Sequence, residues 1–189
     1  YSLVIGENNF IDSNQIGVTV EQRGKNLITG KGNEIWSGNE NLVSGNSNKV
    51  CGAGHTVGGY RNHIGNFSSK TKQRNAKVTL SSPTDDVMAP IHYFNTLFGY
   101  YNKIDSTTSS NTNINYSFAA GNANLITVSS GIALGSQAYV GGDIRFAIGV
   151  KDNAGHVTAT STTNSNKFVI DKDGNVGIGT SSPNYMLHL

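Results

Sequence analysis

Residues 38–65 read "GNENLVSGNSNKVCGAGHTVGGYRNHIG", and every seventh position is glycine: Gly38, Gly45, Gly52 and Gly59. Three residues after each glycine stands an amide or imidazole (Asn41, Asn48, His55, Asn62), and five after stands a branched apolar residue (Val43, Val50, Val57, Ile64). A heptad invites a coiled-coil reading. That reading fails physically, because a glycine in each repeat costs about 1 kcal/mol relative to alanine in a helix, and asparagine and β-branched residues add to the penalty. Extended strands suit the same residues: valine and isoleucine pack on a pleated surface, while glycine and asparagine tolerate the positive φ of a corner.

The pattern Gly-x-x-(Asn/His)-x-(Ile/Val) also occurs as "GENNFI" from Gly6, "GKGNEI" from Gly30, "GYYNKI" from Gly99 and "GNANLI" from Gly121. A second register overlaps it, in which "FAAG", "IALG" and "FAIG" end at Gly121, Gly135 and Gly149, two steps of fourteen residues. Fourteen is twice seven, so the two patterns read as half and full turns of one coil. The expectation is an all-β, parallel β-roll or β-solenoid whose coils stack about 4.8 Å apart, with Val43, Val50, Val57, Ile64, Ile126, Leu134 and Ile148 as its core.

Composition agrees with periodic order rather than disorder: 36% of residues are apolar, 14% charged, 23 are glycine and the net charge is +2, whereas disorder usually brings high net charge and few branched or aromatic residues. So small a charge, without a basic run interleaved with aromatics, excludes nucleic acid as a partner. No apolar run reaches the roughly 18 to 20 residues of a bilayer span, so no transmembrane segment is expected. The start "YSLVIGENNF" lacks the features of a signal peptide, and the chain reads as a piece of a longer protein. Cys51 is the single cysteine, which rules out an intrachain disulfide and paired-cysteine metal sites; a small buried role is expected for it. Two or three apolar side chains per coil hardly offset an ordering cost of about 1 to 2 kcal/mol per residue. Association is therefore expected, through a second apolar stripe for which Leu42, Leu125, Phe118 and Phe146 are candidates.

The "IALG" and "FAIG" steps resemble the β-roll of YadA-like heads in trimeric autotransporter adhesins. The C-terminal "VIDKDGNVGIGTSSPNYMLHL" resembles the segment preceding the self-cleaving intramolecular chaperone domain of phage tail fibres and related bacterial fibre proteins. The resemblance implies a homotrimeric fibre section on a virion tail fibre or an extracellular bacterial surface, folded with a C-terminal chaperone domain as transient partner. Neither the chaperone's "SDxRLKxN"-type motif nor an autotransporter-type membrane anchor occurs in the chain, which favours the phage-type fibre or a secreted analogue.

Four regions follow: a first roll over 1–66, an insertion over 67–98 that breaks the period, a second roll over 99–150 in the fourteen-residue register, and a C-terminal region over 151–189 of hairpins or interleaved strands. Loops on a rigid scaffold are where binding residues concentrate, so the interrupted region is the candidate for recognition. Tyr93, Phe94, Tyr100 and Tyr101 would present flat faces to sugars, and Lys70, Lys72, Arg74 and Lys77 would meet phosphates or carboxylates of an envelope polymer.

"DKDGN" at 171–175 resembles the start of a calcium loop, but its glycine is displaced and Ser182 stands where the bidentate glutamate belongs; a hairpin turn is the expectation. "GIG" at 177–179 lacks the third glycine and following helix of a dinucleotide site, and no cofactor is expected. His55 occupies the repeat's asparagine position and reads as a satisfied corner residue, although on a threefold axis His55 or His63 would meet its symmetry mates and offer imidazoles to a metal. A glycan depolymerase would need two carboxylates about 5 to 9.5 Å apart. Asp85 and Asp86 are adjacent and would diverge on a strand, while Glu34 and Glu40 could lie together as a pair on neighbouring half-turns by accident of the repeat. The sequence therefore points to a non-enzymatic, receptor-binding or adhesive section that attaches to a cell-surface glycan or envelope component, with a structural spacer and a depolymerase as alternatives.

Overall fold

The computed structural model describes residues 2–12, 25–36, 40–65, 92–105, 114–150, 159 and 163–189. These residues are all-β. Strands alternate between two sheets along the chain: β1 (Leu3–Glu7) and β2 (Phe10–Asp12), β3 (Leu27–Lys31) and β4 (Glu34–Trp36), β5 (Leu42–Asn46) and β6 (Lys49–Ala53), β7 (Thr56–Tyr60) and β8 (His63–Ile64). After the short β9 (His92–Tyr93) the alternation resumes with β10 (Thr96–Tyr100) and β11 (Lys103–Ile104), β12 (Phe118–Asn122) and β13 (Leu125–Ile126), β14 (Ile132–Ser136) and β15 (Tyr139–Val140). The odd or first member of each pair joins sheet one in the order β1-β3-β5-β7-β10-β12-β14, and the second joins sheet two, β2-β4-β6-β8-β11-β13-β15. All pairings within these two series are parallel, a stacking compatible with a β-solenoid in which one strand from each sheet makes a coil.

The seven-residue repeat is the half-coil. Val43 and Val57 face inward from sheet one, Val50 and Ile64 from sheet two, and all four are at most 1% exposed. Ile28, Ile35, Leu97, Ile104, Ile126 and Val140 continue this single core cluster. Two core assignments need correction: Leu134 and Ile148 are half-buried on the opposite face of sheet one, and Ala133 and Ala147 point inward. Alternation along a strand reverses at each residue, so the inward position lies two residues before the glycine of "IALG" and "FAIG", as Val43 does before Gly45. In both motifs the aliphatic residue next to the glycine lies on the outer face and the alanine before it on the inner one.

The corner from sheet one to sheet two explains the motif. Gly45 and Gly59 hold φ of +105° and +110°, and a Cβ on Gly45 would collide with the carbonyl oxygen of Gly59 in the next coil. That carbonyl accepts from the Asn48 side chain, Nδ2 to O 3.0 Å, while Nδ2 also reaches the Ser44 carbonyl at 2.9 Å. Asn48 Oδ1 in turn accepts from the backbone N–H (3.0 Å) and Nδ2 (3.1 Å) of Asn62. The same exchange joins Asn9, Asn33, Asn48, Asn62, Asn102 and Asn124, ending on the Ala138 N–H. A second ladder, Asn26, Asn41, His55, Asn95 and Ser117, runs down the other corner. Burying an amide costs free energy unless its donors and acceptors are met; here stacking itself meets them.

His55 fits this ladder as an asparagine mimic. Its Nδ1 accepts from the Asn95 N–H at 3.0 Å, which places the ring proton on Nε2, 3.3 Å from the Cys51 carbonyl oxygen. Cys51 beside it is buried, 1% exposed.

The coil length varies at one corner only. Leu3 pairs with Leu27, Leu27 with Leu42, Leu42 with Thr56, Thr56 with Thr96, Thr96 with Phe118, Phe118 with Ile132 and Ile132 with Phe146, giving coils of 24, 15, 14, 40, 22, 14 and 14 residues. The extra residues all enter after a sheet-two strand and before the next sheet-one strand, whereas the Gly-x-x-Asn corner keeps its length. The first and second repeat regions are thus one continuous stack, since β7 pairs directly with β10, and residues 96–98 belong to that sheet rather than to the insertion. The stack ends at β16 (Ile144–Gly149): β17 (Asn166–Asp171) runs antiparallel on it, β18 (Val176–Ile178) antiparallel on β17, and β19 (Leu187–His188) parallel to β18. "DKDGN" forms the β17–β18 turn, where Asp171 Oδ1 accepts from the N–H groups of Asp173 (2.9 Å) and Asn175 (2.8 Å).

Replacing Asn62 by Ala orphans the Asn102 N–H and the Gly99 carbonyl and should cost about 2 kcal/mol or more. His55→Asn restores the ladder's own residue and should change stability by less than about 1 kcal/mol; chemical denaturation of the two variants checks both values.

Candidate functional site

The constant corner displays side chains as well as holding the coils together. In the Gly-x-x-Asn corners the two middle residues lie outside the core, and in register they form columns: Glu7, Lys31, Asn46, Tyr60, Tyr100 and Asn122 in one, and Asn8, Ser47, Arg61, Tyr101, Ala123 and Gln137, all at φ between 53° and 59°, in the other, of which Ala123 and Gln137 are covered and buried. Because β7 and β10 are neighbours, "GYRN" and "GYYN" superpose. Tyr60 and Tyr100 stack with ring centroids 5.2 Å apart and planes 7° from parallel, and Tyr101 tilts 56° against Tyr100 at 4.6 Å. The Arg61 guanidinium carbon lies 4.9 Å from the centre of the Tyr60 ring and 5.5 Å from that of Tyr101, and Nη1 donates to the Tyr101 hydroxyl. That hydrogen bond holds the guanidinium above its usual pKa, and desolvation followed by the neighbouring phenols raises Tyr100. The outcome is a half-exposed aromatic cluster, organised around one cation, on a rigid rim.

The sequence-predicted residues do not converge. Tyr100 and Tyr101 lie on this rim, but Phe94 stands at the other end of β10, on the opposite corner, where its ring covers Gly54 and stacks on Tyr116 at 5.6 Å. Tyr93 lies in β9, paired with the end of β6. Lys70, Lys72, Arg74 and Lys77 lie outside the described residues. Tyr60 and Arg61 were missed, although "GYRNHI" and "GYYNKI" carry the signal: aligning the repeat across the insertion puts Tyr60 beside Tyr100.

The outer face of sheet one is apolar. Leu42, Phe118 and Phe146 lie on it, with Leu3, Ile5, Leu27, Phe98 and Ile132; of these all but Phe118 and Phe146 are exposed, from 36% at Leu27 to 57% at Leu3. Leu125 is buried on sheet two instead, next to Lys103 and Tyr139 in register.

Neither histidine suits a shared metal. His55 is buried with both ring nitrogens facing its own chain's backbone. His63 lies in register between Lys49 and Lys103 on sheet two; burial first, then the two ammonium groups, lower its pKa to about 4. Among the described residues no group of three or more His, Cys, Asp or Glu side chains converges to hold a metal, and no helix is long and apolar enough to cross a membrane. Glu34 and Glu40, weighed above as a carboxylate pair, are each engaged by a lysine, Lys49 at 3.4 Å and Lys25 at 3.5 Å.

No protein-family model matches the chain, and no curated protein matches it.

His63 makes folding acid-sensitive. Its folded pKa of about 4 lies below the ordinary 6.5, so the unfolded chain binds the proton more readily, and stability present above pH 6.5 is lost as pH falls toward 4, by up to about 3 kcal/mol. Denaturation midpoints across that window should fall, and His63→Gln should flatten the dependence.

Proposed function

We propose that this chain is the receptor-binding or adhesive section of a homotrimeric surface fibre, and that the Tyr60–Arg61–Tyr100–Tyr101 rim attaches it to a cell-surface glycan. The observation that carries this reading is the aromatic cluster itself. Four large side chains are ordered on a corner whose backbone is locked by the asparagine ladder, while equivalent positions in other coils hold small or polar residues such as Asn46, Ser47, Asn122 and Ala123. The ladder needs only the glycine and the asparagine, so the tyrosines add nothing to it. Aromatic rings offer an apolar face with a polar edge, which suits the C–H face and hydroxyl rim of a pyranose.

Self-association is supported by the outer face of sheet one, since a row of exposed apolar residues on a thin roll is the surface a second copy covers. The number three, the place on a virion tail fibre or bacterial surface, and the chaperone-assisted folding rest on the resemblance of "IALG", "FAIG" and "GNVGIGTSSP" to trimeric fibre proteins. The spacer reading is favoured by one observation, the uniformity of the Gly-x-x-Asn corner over the whole stack.

Two measurements test the proposal. Sedimentation should give a trimer, and Leu134→Glu on the outer face should dissociate it; a stable wild-type monomer removes the fibre reading. On a glycan panel the paired change Tyr60→Asn and Tyr100→Asn, which installs residues already used in that column, should abolish binding by an intact assembly. Unchanged binding moves the receptor site elsewhere, and no binding by the wild type favours the spacer.

A further inference from the structure

The aromatic rim holds a charge that the fold leaves uncommitted. Lys25, Lys31, Lys49, Lys103 and Lys172 each lie 2.7–3.5 Å from a carboxylate, of Glu40, Glu7, Glu34, Asp105 and Asp173 respectively. Among the described residues three cations have no carboxylate partner: Lys167, Arg145, which donates to the Gly142 and Ile144 carbonyls, and Arg61. Neutral groups position it instead: the Tyr60 and Tyr101 rings lie under the guanidinium, and Nη1 donates to the Tyr101 hydroxyl. That leaves the edge formed by Nε and Nη2 without a hydrogen bond among the described residues. Such a fork is preorganised for a planar, bidentate anion, which a carboxylate is and a lysine-bound point charge is not.

Two further observations narrow the ligand. The rim offers one uncompensated positive charge, because Lys31 in the same column is neutralised by Glu7 at 3.0 Å; a monoanion matches it better than a phosphate dianion. Half-exposed tyrosine rings beside the cation call for an apolar ring face attached to the anionic group.

We propose that Tyr60, Arg61, Tyr100 and Tyr101 bind an acidic sugar, a uronic-acid residue of a surface polysaccharide, with its carboxylate on the Nε–Nη2 edge of Arg61 and its ring against the tyrosines. This rests on the glycan-binding reading above and names its ligand class. Arg61 is the specificity-determining residue, and the tyrosines supply affinity shared with neutral sugars.

The test uses the assembled protein and calorimetric titration with three probes: an oligogalacturonate, its methyl ester, and a sulfated oligosaccharide of similar length. Arg61→Ser is compatible with the fold, because Ser47 occupies the equivalent place one coil earlier with φ 59° against 53° for Arg61. Tyr100→Asn likewise copies Asn122. The free acid should bind at least tenfold more tightly than the ester and weaken with salt. Arg61→Ser should erase that preference, Arg61→Lys should restore only part of it, and Tyr100→Asn should weaken both probes alike. Equal binding of acid and ester, or an undiminished preference in Arg61→Ser, overturns the acidic-sugar assignment while leaving the glycan reading in place. Preference for the sulfated probe overturns the carboxylate. Binding of no probe, together with no binding across the glycan panel, overturns both readings.

Discussion

The carbonyl of each ladder glycine sits where a side chain on the glycine one coil before would be, and an asparagine three residues along that earlier coil holds it there. Gly45, Asn48 and Gly59 show the arrangement: the Asn48 amide reaches forward to the Gly59 carbonyl and receives the backbone and side chain of Asn62 on its own oxygen. Glycine is required for space and for φ, asparagine for its paired donor and acceptor. Each coil is therefore the template for the next, and the chain needs no large core to keep its register.

That constraint divides the molecule into a conserved geometry and a permissive one. At the glycine corner an added residue would break both the carbonyl contact and the asparagine exchange, and the corner stays one length throughout. At the other corner coils range from 14 to 40 residues between paired positions. The core tolerates a comparable latitude, from Ile28 and Leu97 to Ala119, Ala133 and Ala147 at one inward position of sheet one, because backbone strand pairing and the polar ladders rather than apolar volume set the spacing of the coils. A corner so determined is a good place to hold a binding surface still: Arg61 and Tyr101 carry left-handed φ of 53° and 57°, and the ladder residues immediately after them fix where they point.

The candidate site was half legible. Tyr100 and Tyr101 stand out as adjacent aromatics in a repeat, and their repeat phase gives their outward position. Phe94 stands out equally and lies on the far corner, because β10 runs between them and a strand carries its two ends apart. Tyr60 and Arg61 escape a local reading since 26 residues in excess of a coil separate their repeat from Tyr100, and only strand pairing removes that distance. His55 reads as a corner residue from its repeat phase alone; that its imidazole accepts on Nδ1 and so replaces an amide is a matter of hydrogen-bond geometry.

What the sequence determined by itself is what recurs within seven or fourteen residues: β structure rather than helix, the half-coil, the inward place of Val43, Val50, Val57, Ile64 and Ile126, the corner at each glycine and the hairpin at "DKDGN". These follow from local backbone preference and side-chain alternation, which act over a few bonds. Tertiary structure alone decided which repeats are neighbours across an insertion, which of two adjacent apolar residues in "IALG" and "FAIG" faces in, and that a lone arginine lies on two tyrosine faces instead of against a carboxylate. Each of those depends on what the next coil presents, and chain separation in sequence carries no information about distance once coils of unequal length are held in a single register.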